Sequence, residues 1–291
     1  MQMKYNFLVN PISGNGKSKK TMEIISGKLN GLNIPFSVYY SGSRGHLTEL
    51  AKQVIDEGAD NIIAVGGDGT LNEVLNGFHS FDKCALGIIP SGSGNDFAVS
   101  AKIPENPLEA LDIILKNEPR FTDFLQTSSG IRGLNIIGTG IDVDVLRRYN
   151  AKKKKNKAAY RSALITSLIK FKPYKFTAFI NGEEKQYQCF MAAAGNGVQY
   201  GSGVKMCPKA VIDDGLIDFV VIRKLAKIKI PLVFKRLFKG TILEIKQADF
   251  FRSEKVAVTS EEPFDLNLDG ELYSNIKFEV ECVHDVLRMY R

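Results

Sequence analysis

Two short runs, apolar apart from the leading Asn61 and each followed closely by a glycine-rich turn, constrain this chain more than any other feature. Residues 61–65 (NIIAV) lead into Gly66-Gly67-Asp68-Gly69-Thr70, and residues 85–89 (ALGII) lead through Pro90 into Ser91-Gly92-Ser93-Gly94-Asn95-Asp96. A strand without polar alternation has to be covered on both faces, which is the condition of strands inside a parallel sheet. Around them, residues 5–10 and 36–40 are strand-like, and a helical stretch runs from about 18 to 32. Leu47, Leu50, Ala51, Val54 and Ile55 recur at i, i+3, i+4, i+7 and i+8, one face of a helix. Leu108, Leu111, Ile114 and Leu115 mark another helix before a strand at 121–125. Repeated β-α-β alternation predicts a doubly wound, Rossmann-like α/β domain over residues 1–125.

Beyond residue 126 the texture changes. Residues 175–180 and 186–194 flank Asn181-Gly182, a pair that tolerates the positive φ of a tight hairpin. Short strand-like runs follow at 217–222, 248–251, 255–259, 264–268 and 276–281, interrupted by helical stretches near 158–172 and 226–239. The second domain, 126–282, is therefore expected to be an antiparallel β-sandwich, with the C-terminal segment, about 283–291, free to return to the first.

The turns carry the chemistry. Successive glycines let backbone N–H groups approach phosphate oxygens, and a following helix adds partial positive charge. Thr70 and Glu73 fit a capping box, T-x-x-E, that would start that helix. Asp68 would repel a bare phosphate, a conflict removed if a divalent cation bridges the two. The alternative is a tight strand-to-helix turn with Asp68 solvated. Asp96 is open between a second carboxylate of the site and a helix N-cap. In an open parallel sheet both turns lie at the carboxyl edge, where ligands bind. Asn10-Pro11-Ile12-Ser13-Gly14-Asn15-Gly16-Lys17-Ser18 ends like a Walker A loop, but Pro11 stands where its first glycine belongs. Gly67-x-Gly69 lacks the third glycine of a dinucleotide fingerprint, Asn72 replacing it.

Composition narrows the partners. Hydrophobic residues make up 44% of 291, enough for packed cores, and the net charge of +7 favours anionic partners. Aromatic residues do not interleave with the basic runs, so nucleic acid is not expected. Cys84, Cys189, Cys207 and Cys282 are scattered without a C-x-x-C pair, as are His46, His79 and His284, giving no zinc or disulfide framework and fitting a reducing cytoplasm. No apolar run is long enough to span a bilayer, and Pro11 precedes any signal-peptide core.

Taken in order, Asn10-Pro11-x-x-Gly14, Gly66-Gly67-Asp68-Gly69-Thr70-x-Asn72-Glu73, Pro90 through Phe97, Asp213-Asp214-Gly215-Leu216 and Leu268-Asp269-Gly270-Glu271 resemble the soluble diacylglycerol-kinase-like lipid kinases, whose superfamily includes the catalytic domains of diacylglycerol, sphingosine and ceramide kinases. The resemblance covers nearly the whole chain. It implies an active site between the two domains and an ATP- and Mg²⁺-dependent transfer of phosphoryl to a lipid hydroxyl, diacylglycerol giving phosphatidic acid being the expected case. By the same resemblance Asn10, Pro11, Ile12, Ser13, Gly14, Ser41, Gly66, Gly67, Asp68, Gly69, Thr70, Leu71, Asn72 and Ser93 contact ATP. Glu271 accepts the proton, and Asp68, Asp96 and Asp123 surround catalytic Mg²⁺. A structural Mg²⁺ would use the Asp214 side chain and the carbonyls of Val211 and Leu216. Ser93 departs from the threonine of many bacterial members but keeps the hydroxyl.

A lipid substrate implies transient membrane contact from the cytoplasm. Two stretches suit it: Lys152, Lys153, Lys154, Lys155, Lys157 and Arg161 before Leu164, Ile165, Leu168 and Ile169, and the basic-apolar run 225–239. The plainer reading of each is a solvated charged face whose apolar side packs on the sandwich. The sequence leaves homodimerisation open. The rival readings are an NAD-kinase-like enzyme and a non-catalytic nucleotide-binding regulator at the membrane surface.

Overall fold

The computed structural model describes residues 3–153, 157–201, 203–262, 264–274 and 276–291, with backbone alone at 157, 158, 160 and 161. Lys154 and Lys155 of the first basic run thus lie outside the described residues, as do the side chains of Lys157 and Arg161. The chain divides into two compact units: Met1–Phe124 with Ile212–Asp214 and Val283–Arg291, and Leu125–Val211 with Gly215–Cys282.

The first unit is wound as β1 (Tyr5–Val9), α1 (Ser13–Gly31), β2 (Phe36–Tyr40), α2 (His46–Asp56), β3 (Asn61–Gly66), α3 (Asp68–Gly77), β4 (Ala85–Pro90), α4 (Asp96–Ser100), α5 (Pro107–Lys116) and the start of β5 (Arg120–Thr127). Its strands are parallel in the order β2-β1-β3-β4, with Tyr5 opposite Phe36, Asn6 opposite Ile62 and Asn61 opposite Ala85. Every residue of β1, β3 and β4 is buried, in keeping with their mainly apolar character, and the Asn6 side chain donates to Asn61 O at 3.1 Å. α2 buries Leu47, Ala51 and Val54. α5 buries Ala110, Leu111 and Ile114, and its start is fixed by Asn106 Oδ1, which accepts the Leu108 N–H at 3.0 Å. Each parallel crossover delivers the turn after its strand to the same carboxyl edge. The end of the chain returns to this unit, Met289 pairing in parallel with Leu86.

The second unit contains β6 (Arg132–Gly133), β7 (Ile136–Gly140), α6 (Ile141–Asn150), α7 (Lys157–Lys170), β8 (Tyr174–Ile180), β9 (Glu183–Gly195), β10 (Ile217–Arg223), a 3₁₀ turn (Lys227–Lys229) leading into α8 (Ile230–Lys239), β11 (Ala248–Ser253), β12 (Lys255–Thr259), β13 (Leu266–Leu268), β14 (Glu271–Tyr273) and the beginning of β15 (Phe278–Met289). Asn181 and Gly182, at φ of 51° and 79°, make the expected two-residue hairpin between β8 and β9. The long β9 pairs with β8 along its first half, with β7 along its second, and with β10 on the other edge, all antiparallel. Its alternation builds two cores. Ala192 and Ala194 join Phe219, Val221, Val256 and Phe278 in the sandwich. Ala193 faces the other way, where Val220 and Ile222 meet Ile141, Val145, Ala163, Val233 and Leu237 of the helices.

Three departures from expectation concern boundaries. The strand expected at 276–281 is the first half of one that runs from 278 to 289. The pair β7–α6 was not anticipated, because the Gly138-Thr139-Gly140 stretch reads as a break rather than as strand. α3 begins at Asp68, which puts Thr70 within its first turn and rules out the capping box. Glu73 instead accepts the Leu47 N–H at the start of α2, at 3.3 Å.

Candidate active site

In the first unit three loops meet at the carboxyl edge of the parallel sheet. The β1 loop is tied in by the Asn10 N–H, which donates to Val65 O at 3.2 Å, and by Ser13 Oγ, which accepts the Gly67 N–H at 3.1 Å. The Ser91 N–H donates to Gly66 O at 2.8 Å, joining the β3 and β4 turns, and Ser41 after β2 donates its N–H to Val9 O at 3.0 Å. The turns then pack backbone on backbone. A Cβ on Gly92 would fall 2.4 Å from Gly67 Cα, and one on Gly14, itself at φ +58°, only 2.2 Å from Ser91 O. Gly66 has to be glycine for another reason: its Cβ would sit 2.2 Å from Thr70 Oγ1. Glycines 14, 67 and 92 therefore let the loops touch one another, while Gly69 faces open space at the first turn of α3. The N–H groups of such a first turn have no partner within the helix and carry its positive dipole end.

The side chains expected at this edge differ in what they can offer. Ile12, Gly69 and Ser93 are exposed, and Pro11, Ser13, Gly14, Ser41, Gly67 and Asp68 are half-buried. Thr70, Leu71 and Asn72 are buried, so the Leu71 side chain belongs to the core, and its N–H is spent on Gly67 O at 3.1 Å. Asp68 reaches across to the next turn: its two carboxylate oxygens accept the N–H groups of Asp96 (3.1 Å) and Phe97 (3.0 Å), capping α4. Burial pushes the Asp68 carboxyl above its usual range, the two N–H bonds pull it back, and the neighbouring Asp96 carboxylate raises it further. Asp96 itself is buried as the first residue of α4. Two adjacent carboxylates in a half-buried oxygen-rich corner fit a hard divalent cation, which would relieve their repulsion. Asp123 is placed differently. Its carboxylate is buried on β5 and bonds His284 Nδ1 at 2.7 Å, which raises the imidazole above its usual range. Nearby, Asp213 pairs with Arg291 at 2.6 Å, and the Asp214 charge also lifts His284.

In the second unit Glu271 opens β14 directly after a two-residue turn, Leu268 standing opposite Glu271. Asp269 (φ 48°) and Gly270 (φ 92°) both take left-handed backbone, as a tight hairpin of this length requires. The Asp269 carboxylate accepts three main-chain N–H groups, from Leu134 (2.8 Å), Asn135 (3.1 Å) and Ile136 (2.9 Å), while its own N–H donates to Ile136 O at 3.1 Å. Asn267 holds the other side: its Oδ1 accepts the Gly270 N–H at 2.9 Å and its Nδ2 donates to Asp142 at 3.0 Å. Burial pushes the Asp142 carboxyl up, and the Asn267 bond offsets part of the rise. Of the residues expected to hold a structural cation, Val211 and Leu216 belong to this unit and Asp214 to the first. The donor set is one carboxylate and two carbonyls, all hard oxygen ligands.

The family of YegS C-terminal NAD kinase beta sandwich-like domains matches residues 135–291, and the diacylglycerol kinase catalytic domain family matches residues 4–127. A relative in Stenotrophomonas maltophilia (strain K279a), "Probable lipid kinase YegS-like", is 33% identical over 95% of this chain and 94% of its own. The chain belongs to the YegS-like lipid kinase family. A more distant member-like protein of Mycobacterium tuberculosis (strain CDC 1551 / Oshkosh), named diacylglycerol kinase, is 28% identical over 99% of this chain and 95% of its own. A diacylglycerol kinase crystal structure from Bacillus anthracis str. Sterne shares the two-domain fold, with a TM-score of 0.76 at 20% identity over 99% of this chain and 96% of the other.

Within this lipid kinase family member, residue-by-residue reading of the sequence passed over His284, Asp142 and Asn267. His284 stands 161 positions from Asp123, so no local pattern joins them. Asn267 did offer a signal: it lies in β13, three residues before Gly270, and an Asn there can bond the turn that follows.

Proposed function

We propose that this chain transfers the γ-phosphoryl group of ATP, with Mg²⁺, to the hydroxyl of diacylglycerol, giving phosphatidic acid. The observation that carries the reading is the three-loop edge, where backbone-to-backbone glycine contacts leave the first turn of α3 open beside the Asp68 carboxylate, on which the Asp96 charge acts. That combination suits a polyphosphate bearing a divalent cation. Bound Mg²⁺ would neutralise charge on the transferred group. Asn10, Ser13, Gly14, Ser41, Gly69 and Ser93 are assigned to the nucleotide, through main-chain groups and hydroxyls. Asp68 and Asp96 are assigned to the cation. Asp123, paired with His284, is assigned to holding that side of the unit in register with the cation site. A lipid alcohol is too weak an acid to ionise first, so Glu271 accepts its proton as the new O–P bond forms and the bond to the ADP oxygen breaks. A second, structural Mg²⁺ is assigned to Asp214 and the carbonyls of Val211 and Leu216.

Diacylglycerol as acceptor is supported by the catalytic-domain family that matches residues 4–127. A water-soluble protein acting on such a substrate works at the cytoplasmic membrane surface. Among the described residues no helix is long and apolar enough to cross a membrane. The four cysteines are free, in keeping with a reducing compartment. The test is labelled ATP offered with diacylglycerol, other lipid alcohols and NAD, comparing wild type with Glu271→Ala and Glu271→Gln. Labelled phosphatidic acid from wild type, falling at least about a hundredfold in both variants, is the expected result. Labelled NADP would replace the reading with that of an NAD kinase, and no product from any acceptor would leave a regulator.

A further inference from the structure

We propose that the outward face of α8, together with the 3₁₀ turn before it, is a docking surface for an anionic lipid bilayer. The helix has two distinct apolar sides. Ile230, Val233 and Leu237 are buried in the second core of their unit, which satisfies the ordinary need of a helix lying on a sheet. On the opposite side, Pro231, Leu232, Lys235, Phe238 and Lys239 fall within about a third of the helix circumference and are all exposed. Leu232 and Phe238 are 50% and 55% exposed, and Ile228 in the preceding turn is 89% exposed. A helix whose only task is to cover a core presents polar residues outward; this one presents large apolar groups among lysines.

Charge selects the occupant. Residues 224–240 contain Lys224, Lys227, Lys229, Lys235, Arg236 and Lys239 and no acid. Arg236 is taken by Glu244, and Lys227 Nζ donates to Ile169 O at the end of α7, at 2.5 Å, bringing the exposed Ile169 beside the turn. Lys229, Lys235 and Lys239 have no acidic neighbour in an ion pair among the described residues. Beside the helix lies a groove of about 290 Å³ lined by Leu225, Leu232, Val233 and Ile245 together with Lys229, Lys246 and the Arg236–Glu244 pair. An apolar lining beside Lys229 and Lys246, which keep the groove net cationic after Glu244 takes Arg236, fits an acyl chain below an anionic headgroup. A second copy of this chain fits badly, because a two-fold contact would press the same lysines against each other, and the Glu244 carboxylate beside them is already paired with Arg236.

The proposal rests on the lipid kinase reading for its biological sense, but its test uses no ATP. Binding is measured by co-sedimentation with phosphatidylcholine vesicles, with and without phosphatidylglycerol. Wild type is expected to prefer the phosphatidylglycerol vesicles. Lys235→Ser with Lys239→Ser lowers that partition about thirtyfold, some fivefold per cation. Ile228→Ser with Phe238→Ser lowers it at least about tenfold. Neither pair moves the thermal midpoint, and neither changes turnover of a dispersed short-chain diacylglycerol. Equal binding of wild type to both vesicle types, or wild-type binding by both double variants, overturns the proposal. So does a doubled solution mass that Ile228→Ser with Phe238→Ser returns to a single chain. Loss of vesicle binding in the variants, alongside no lipid phosphorylation by any form, keeps the docking surface and removes the kinase reading instead.

Discussion

Replacing Asp269 should loosen the turn that presents Glu271, and the size of the effect follows from its bonds. The carboxylate accepts three N–H groups from Leu134, Asn135 and Ile136, residues that are themselves buried. An orphaned buried donor costs about 1–3 kcal/mol. The turn is half-exposed, so water can enter the vacated space and the lower figure applies, giving about 3 kcal/mol for the three. Asp269→Ala adds about 1 kcal/mol, because alanine tolerates the left-handed backbone poorly. Asp269→Gly escapes that second penalty. Asp269→Asn keeps an oxygen for Asn135 and Ile136 and turns only an NH₂ group against Leu134, for about 1.5 kcal/mol. At about 2–4 °C per kcal/mol for chains of this size class, the midpoint falls by about 8–16 °C in the alanine variant and about 3–6 °C in the asparagine variant.

The assay is thermal unfolding of the three variants, with hydrogen exchange at Leu134, Asn135 and Ile136 reading the bonds themselves. Stability should rank asparagine, then glycine, then alanine, and the three amides should lose protection in the last two. Equal losses in Asp269→Asn and Asp269→Ala, or wild-type protection of those amides in Asp269→Ala, would refute the idea that the carboxylate braces the turn.

Gly92→Ala drives a methyl to 2.4 Å from Gly67 Cα, so the β3 and β4 turns must part; nucleotide affinity, followed by calorimetry, should fall at least about tenfold. Asn267→Ala removes both the Gly270 N–H acceptor and the donor to Asp142; kcat should drop about tenfold or more while the KM for ATP stays within about twofold, because the nucleotide edge lies in the other unit. Asp142 gives a pH signature. Its carboxyl is raised above 3.8 by burial, so the folded state binds the proton more tightly than the unfolded, and stability falls as pH rises from 3.8 through the folded value. Asp142→Asn cannot ionise and escapes this loss, so its midpoint relative to wild type should be higher at pH 7 than at pH 4. A constant difference across that range would remove the burial argument.

Local rules carried the reading where local physics decides. The mainly apolar runs of β3 and β4 could only be buried on both faces, and Asn181-Gly182 could only be a hairpin, so both emerged from the sequence as they stand in the fold. The capping box failed because two competing starts exist for α3. The tie from Glu73 to Leu47 is tertiary and takes Glu73 away from a capping role, while the helix starts at Asp68, three residues before the pattern places it. Pairings across the chain were invisible for a different reason. Asp269 reaches Leu134, and Asp142 reaches Asn267, over 135 and 125 positions, and neither partner carries a distinctive neighbour in sequence.

That distance also explains how Glu271 is held. Glu271 stands at the first position of a three-residue strand, which among the described residues pairs with β13 through Leu266–Leu268. What fixes its backbone is a clamp on the preceding turn: Asp269 draws in the strand-entry amides of β7 from one side, and Asn267, anchored by Asp142 at the start of α6, takes the Gly270 N–H from the other. Both arms end on the single segment 134–142, where β7 passes into α6. For the proposed role, in which Glu271 meets a lipid hydroxyl within hydrogen-bond reach, positional error has to stay well below 1 Å. The clamp supplies this without touching Glu271, which leaves the carboxylate's chemistry to its surroundings. Damage to either arm should therefore lower turnover without altering what Glu271 is, and Glu271→Gln should abolish turnover while the amides of 134–136 keep their protection.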